Sequence, residues 1–232
     1  MSQHSIVTKG IVLTRTNFGE AARIITMLTP DNGKVRLMAK GVRKVKSKLA
    51  GGIELFSISQ ITFIPGRGEI STLISSRLQQ HYGTITRDIN RTMFGYELIK
   101  TINKVTEDNA GEEYFDLLQN TLEALDEPNL PLDRLDLWLQ LQLLKLAGHS
   151  PNVKTDTAGN KLTAEGHYNF SLDDMTFSSH EKGRYNAAHI KLLRLGLGLD
   201  SPKPLAQLQD IQTVLSATLA LAKTMLQQHL RI

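Results

Sequence analysis

Cysteine is absent from the 232 residues. Without it there is no disulfide framework, no cysteine nucleophile, no iron–sulfur cluster and no thiolate zinc site. Long apolar runs are missing too. No stretch approaches the roughly 18 consecutive hydrophobic residues of a membrane span, and the opening MSQHSIVTKG lacks the basic start and apolar centre of a secretory signal. The expectation is a cytoplasmic protein that neither enters nor crosses a membrane. Rings are sparse at 6%, but hydrophobic residues reach 41%, which in a chain of this length supports one sizeable core or two smaller ones.

Acids are missing from one place in particular. Lys34, Arg36, Lys40, Arg43, Lys44, Lys46 and Lys48 fall within KVRLMAKGVRKVKSK, which contains no Asp or Glu. The net charge of +4 conceals this asymmetry: residues 1–80 carry 12 Lys and Arg against 4 acids, and the rest of the chain is mildly acidic. Such a split suggests a polyanion-binding module attached to an acidic body.

The same N-terminal third has the pattern of short strands. IVTKGIVLTRT and ARIITMLT are rich in β-branched residues, and GKVRLMAKG alternates, with Val35, Leu37 and Ala39 on one face. GIELFSISQITFI and ISTLISSRLQ flank PGRGE, a turn at Pro65 to Glu69 that predicts a hairpin. Five strands in so short a segment fit a small barrel of the OB type, because closure removes the exposed edges.

From residue 84 the period becomes helical. Thr84 is the expected N-cap of a helix carrying Ile85, Ile89, Met93, Tyr96, Ile99 and Ile102 on its apolar face. Bundle helices are expected in EEYFDLLQNTLEALDE, LPLDRLDLWLQLQLLKLAGH, NAAHIKLLRLGLGL and LAQLQDIQTVLSATLALAKTMLQQHL, with Trp138 in the core. Pro151, Gly159, Gly166 and polar runs predict a small irregular insertion at about 149–183 with some strand character in HYNFSLDDMTFS. The reading is an α+β chain: a five-stranded OB-fold β-barrel over 1–82, then an α-helical domain over 83–232.

Catalytic motifs fail on spacing. PGRGE and RLGLGLD contain glycine pairs but lack the arrangement of a phosphate-cradling loop. His180, Glu181 and His189 miss the H-E-x-x-H spacing, and His167, Asp173, Asp174 and His180 are scattered polar residues of the insertion. No Ser, His and Asp set can be assembled from spacing, so no enzyme is predicted.

The cations fare better. Strand alternation puts Lys34, Arg36 and Lys40 with Met38 on the face opposite Val35, Leu37 and Ala39, and the following loop extends the row through Arg43, Lys44, Lys46 and Lys48. A groove lined in this way would displace the counterions condensed on a nucleic-acid strand. On charge alone, a solvated face and a binding face are equal readings. The barrel favours binding, with Arg15, Arg23, Arg67 and Arg77 as further contributors and Phe18 as the ring for base stacking. Phe56 and Phe63 fall on opposite faces of one predicted strand unless a bulge intervenes, so at least one should be core.

The segment FGEAARIITMLTPDNGKVRLMAKGVRKVKSKLAGGIELFSISQITFIPGRGEISTLISSRL resembles the N-terminal domain of the RecO family of bacterial recombination mediators. The resemblance rests on Phe18, Gly19 and Glu20, then Thr29 and Gly33, then Ala39, Lys40 and Gly41 followed by Arg43 and Lys44. It implies an OB-fold and a helical domain, binding of single- and double-stranded DNA, and annealing of complementary strands in DNA repair and recombination. It also implies partners of the RecF pathway: the acidic C-terminal tail of the single-stranded DNA-binding protein, RecR and, indirectly, RecA. The family's zinc-binding insertion would need Cys-x-x-Cys pairs, and Thr155, Ala158 and residues near Ser178 to Lys182 stand at those positions, so no zinc or other cofactor is expected. The competing reading is a protein adaptor whose basic barrel face binds acidic peptide tails, with no primary role on DNA.

Overall fold

The computed structural model describes residues 4–108 and 110–230. Two compact units make up the chain, Met1–Pro128 and Asn129–Ile232.

In the first unit, β1 (Ile6–Phe18), β2 (Ala22–Thr29), β3 (Gly33–Ala39), β4 (Ser57–Ile64) and β5 (Ile70–His81) close into a barrel of order β1-β2-β3-β5-β4. β3 and β5 run parallel and every other pair antiparallel, as in an OB fold. Strand β1 pairs with β4 through its first half and with β2 through its second, and a register shift between Val12 and Thr14 bends it from one to the other. Val12, Ile25, Met27, Leu37, Ile61, Phe63 and Leu73 fill the interior. The alternation in KVRLMAK therefore works as expected, with Leu37 and Ala39 fully buried. Of the two phenylalanines, both are core. They avoid opposite faces because Phe56 precedes β4 with φ +55° and is not part of the strand.

Helices α1 (Ile89–Val105) and α2 (Glu112–Leu125) belong to the same compact unit. The change from strand to helix thus comes well before the division between units. Asp88, not Thr84, caps α1 by accepting from the Arg91 backbone N–H; Thr84 instead heads a 3-10 turn at Ile85–Arg87. The apolar face of α1 also differs from expectation. Ile85, Ile99 and Ile102 are buried, but Ile89, Met93 and Tyr96 are exposed, and the inward face carries Arg91, Gly95 and Leu98. Gly95 is the reason: a Cβ there would come within 2.7 Å of the Phe56 ring, so the ring seats on bare backbone and turns that face inward. Arg91 is buried and donates to the carbonyls of Leu125 (2.8 Å) and Pro128 (2.6 Å).

One end of the barrel is fastened to the α1–α2 connection. Gly33 sits at φ +57°, where an added Cβ would lie 2.3 Å from the Asp108 carbonyl oxygen. The next residue, Lys34, donates its backbone N–H to that oxygen at 2.9 Å.

The second unit contains α3 (Leu132–Leu146), β6 (Asn152–Asp156), β7 (His167–Ser171), β8 (Thr176–Ser179), β9 (Tyr185–Asn186), α4 (Ala187–Gly198), α5 (Lys203–Ala206) and α6 (Gln212–Leu230). Trp138 is core, and its indole N–H donates to the Leu199 carbonyl at 2.8 Å. The insertion is more regular than its composition suggested. Its strands form a four-stranded sheet of order β6-β8-β7-β9, centred on the fully buried Phe177, whose ring meets Phe170, Tyr185 and Tyr168 edge-on at 5.0, 6.0 and 6.1 Å. The last predicted helix is two, separated around Asp210, which takes a positive φ of +54°. No helix among the described residues is long and apolar enough to cross a membrane.

Candidate nucleic-acid interface

The basic stretch is an ordered turn. Val42 is buried in the barrel core and Leu49 packs against it, so the residues between them are anchored at both ends. Gly41, at φ +69°, supplies the left-handed step that carries the chain off β3. Within the turn, Lys44 N–H donates to Gly41 O at 3.1 Å and Ser47 N–H to Lys44 O at 3.0 Å. Arg43 fixes the turn to the neighbouring β1–β2 loop, through its backbone N–H to Ala21 O and its guanidinium to Gly19 O, both at 3.1 Å. Phe18, half exposed, lies at the start of that loop.

Charge density alone does not reveal which cations are free. Lys40, Lys44, Lys46 and Lys48 are exposed and make no side-chain hydrogen bond or ion pair among the described residues. Together with Arg43 they form one patch at the end of the barrel, where β3 leaves for β4. Arg36, further along β3, pairs with Glu69 at 2.9 Å, which draws the Pro65–Glu69 turn and its exposed Arg67 against the same strand. Arg23 donates to Asn17 Oδ1 at 3.0 Å beside the patch.

Three of the expected contributors are placed elsewhere. Lys34 is turned to the opposite end of β3, where its ammonium donates to the carbonyls of Asn103 (3.0 Å) and Thr106 (2.8 Å) at the end of α1. A cation there also complements the negative end of the helix dipole. Arg15 is tied to Glu54 at 2.8 Å and to Ile53 O at 3.4 Å. Arg77 is exposed on β5 opposite Gln60, which in turn lies opposite Lys9 on β1, a cation that sequence reading passed over because it stands alone. Lys9 borders an open groove of about 450 Å³ that includes Glu123, and a second of about 420 Å³ that includes Glu112 and Asp116. Those carboxylates would repel a polyanion, so the electrostatics favour the patch at the barrel end.

Val45 was missed as well. At the tip of the turn, between Lys44 and Lys46, it is fully exposed. Its apolar character contrasts with its basic neighbours, and that contrast is readable in VRKVKSK.

Comparison with known families agrees with this architecture. Residues 1–82 match the family model described as recombination protein O N terminal, and residues 86–232 match recombination protein O C terminal. The chain belongs to the RecO family. Its relatives in this family include the DNA repair protein RecO of Desulfatibacillum aliphaticivorans, 33% identical over 151 residues that cover 64% of this chain and 58% of that protein. The DNA repair protein RecO of Dehalococcoides mccartyi is 32% identical over 152 residues, covering 65% and 59%. The DNA repair protein RecO of Listeria welshimeri is 29% identical over 195 residues, covering 81% and 75%. The chain therefore spans somewhat under two thirds of the length of the first two RecO relatives and three quarters of the third.

Proposed function

We propose that this RecO-family chain is a DNA repair and recombination mediator. It holds single- and double-stranded DNA on the basic end of its barrel and anneals complementary strands. With RecR, it assists RecA on single strands coated by the single-stranded DNA-binding protein, whose acidic tail it engages in the cytoplasm at the nucleoid. The observation that carries this reading is the gathering of Lys40, Lys44, Lys46 and Lys48, all without side-chain partners among the described residues, around a turn that Arg43 pins in place. Relatives named as DNA repair proteins support it.

The mechanism requires no bond-making step. Cations on one ordered surface neutralise the phosphates of two strands at once, which lowers their mutual repulsion and raises the local concentration of complementary bases. Preordering of the turn reduces the conformational entropy lost on binding.

The insertion reads as metal-free. At the positions of the family's thiolates, the Thr155 hydroxyl accepts from Asn152 Nδ2 at 2.9 Å, Ala158 has no ligating side chain, and His180 Nδ1 accepts from the Lys182 N–H at 3.1 Å. These residues do not fit a zinc ion. The buried Asp156 carboxylate closes the knuckle instead, accepting from the backbone N–H groups of Ala158 (3.0 Å) and Asn160 (2.8 Å).

A strand-annealing assay at several salt concentrations, with and without the coating protein, tests the proposal. Accelerated annealing of bare and coated strands, weakening as salt rises, is expected. Absence of binding and annealing at low salt would refute it, and displacement of all DNA by an acidic tail peptide would favour the adaptor.

A further inference from the structure

Helix α2 turns a row of acids toward the outer wall of the barrel. Glu112, Asp116, Gln119 and Glu123 follow one another at three- and four-residue steps and share one helix face. That face borders the two open grooves, which have Lys9, Gln79 and Gln119 in common. Asp31, whose carboxylate accepts from the Thr8 hydroxyl at 3.0 Å, adds another acid from the β2–β3 hairpin. Lys9 is the one cation among the lining residues, and Glu112 and Asp116 are exposed with no ion pair among the described residues. The grooves therefore carry a negative potential.

A second feature, independent of that charge, also points to an occupant. Tyr82 is only 3% exposed and lines the first groove, yet its hydroxyl makes no hydrogen bond among the described residues. Burial, together with the charges of Glu123 and Asp126, pushes its pKa up to about 12, so the hydroxyl keeps a proton to donate. A buried donor without an acceptor is costly. A carbonyl brought in from outside would satisfy it.

The chain itself carries the complement to this groove. Lys44, Lys46 and Lys48 are exposed and without partners among the described residues, on a turn that is already ordered. The seven residues of β3, roughly 20 Å of strand, separate that turn from the hairpin beside the groove, so a molecule cannot insert its turn into its own groove. We propose that the groove between α2 and the barrel receives the basic turn of a second copy of this chain, its lysines meeting the carboxylates and its backbone offering a carbonyl to Tyr82. The contact is head to tail. Exposed ion pairs contribute little each, so it forms and breaks readily. A DNA strand engages the same lysines, and DNA therefore releases the second copy. This competition rests on the strand-binding reading above, whereas the docking does not.

Sedimentation velocity of the full-length protein across a wide range of concentration at low salt tests the docking, after thermal melting confirms that each variant folds. The unmodified protein should gain mass with concentration and return to monomer when salt is raised or a single-stranded oligonucleotide is added in excess. The triple variant Lys44→Glu, Lys46→Glu, Lys48→Glu and the double variant Glu112→Lys, Asp116→Lys should each stay monomeric alone and associate when mixed, because each then supplies the surface the other lacks. Should the reversed groove not fold, Glu112→Gln with Asp116→Asn takes its place and should weaken association. Tyr82→Phe should weaken it about 2- to 10-fold. An unmodified protein that stays monomeric, association that survives both charge-reversed variants, a mixture that remains monomeric, or unchanged association in Tyr82→Phe overturns the docking. A monomer whose Glu112 and Asp116 bind an oligolysine peptide also overturns it, and gives the groove to a basic partner instead. Association that excess oligonucleotide leaves intact overturns the competition. An unmodified protein that binds no oligonucleotide removes the strand-binding reading, while the mixing experiment still decides the docking.

Discussion

Replacing Lys44, Lys46 and Lys48 together by alanine separates binding from folding, because among the described residues these side chains have no partner to lose. Substitutions at such exposed positions usually change stability by less than about 0.5 kcal/mol, so the melting temperature should hold. The salt dependence should not. Arg36, Lys40, Arg43, Lys44, Lys46 and Lys48 place about six cations on the face, and each phosphate neutralised on a single strand contributes about 0.7 to the slope of log affinity against log salt. The unmodified protein should therefore lose about 300-fold in affinity between 50 and 200 mM salt, and the triple variant only about 20-fold. Anisotropy titrations at four or five salt concentrations measure both slopes. An unchanged slope in a folded variant would show that these lysines touch no phosphate, and the patch would then have to be reassigned.

Lys34→Ala should behave in the opposite way, since its ammonium is spent on the Asn103 and Thr106 carbonyls: denaturant melting should show a loss of about 1–3 kcal/mol while the salt slope stays within error. Phe177→Ala, by emptying the centre of the β6–β9 sheet, should cost about 3–5 kcal/mol, and a chelator should leave the melting temperature of the unmodified protein unchanged; a fall on chelation would show that a metal holds the insertion. His189 supplies a pH dependence. Its ring Nδ1 lies 3.3 Å from the Asn186 N–H it accepts at the start of α4, and burial, helped by the nearby Arg184 charge, holds its pKa below the usual 6.5. The neutral ring's contribution is complete above pH 6.5 and is lost as pH falls below that value, so melting between pH 5 and 7.5 should be steeper for the unmodified protein than for His189→Ala.

How much of this could be read in advance depended on whether the information was local. The barrel strands were legible because alternation in KVRLMAK and the PGRGE turn are properties of neighbouring residues. The α1 face was misjudged because Gly95 sets it through Phe56, and a glycine carries no hydropathy signal. Strands of two to five residues with polar outer positions, such as β6 to β9, look like loops until the shared Phe177 core is seen. The basic patch was visible as a count of charges but not as a set of free charges. Arg36 and Glu69 are 33 residues apart, Arg15 and Glu54 are 39, and Lys34 and Asn103 are 69, so pairing strips Lys34 and Arg15 from the set by contacts that no window of sequence contains.

The Gly33–Asp108 approach gives the barrel one fixed end and one editable end. A residue inserted into the β2–β3 hairpin would push backbone into backbone and displace the Lys34 ammonium from α1, so that hairpin has a single workable length. At the other end, the chain between Val42 and Leu49 is anchored at its borders and by Arg43, and Val45 at its tip is exposed. Grafting longer or differently charged segments beyond Arg43 would change the footprint on a strand without disturbing the core, which makes residues 44–48 the place to alter strand occupancy by design.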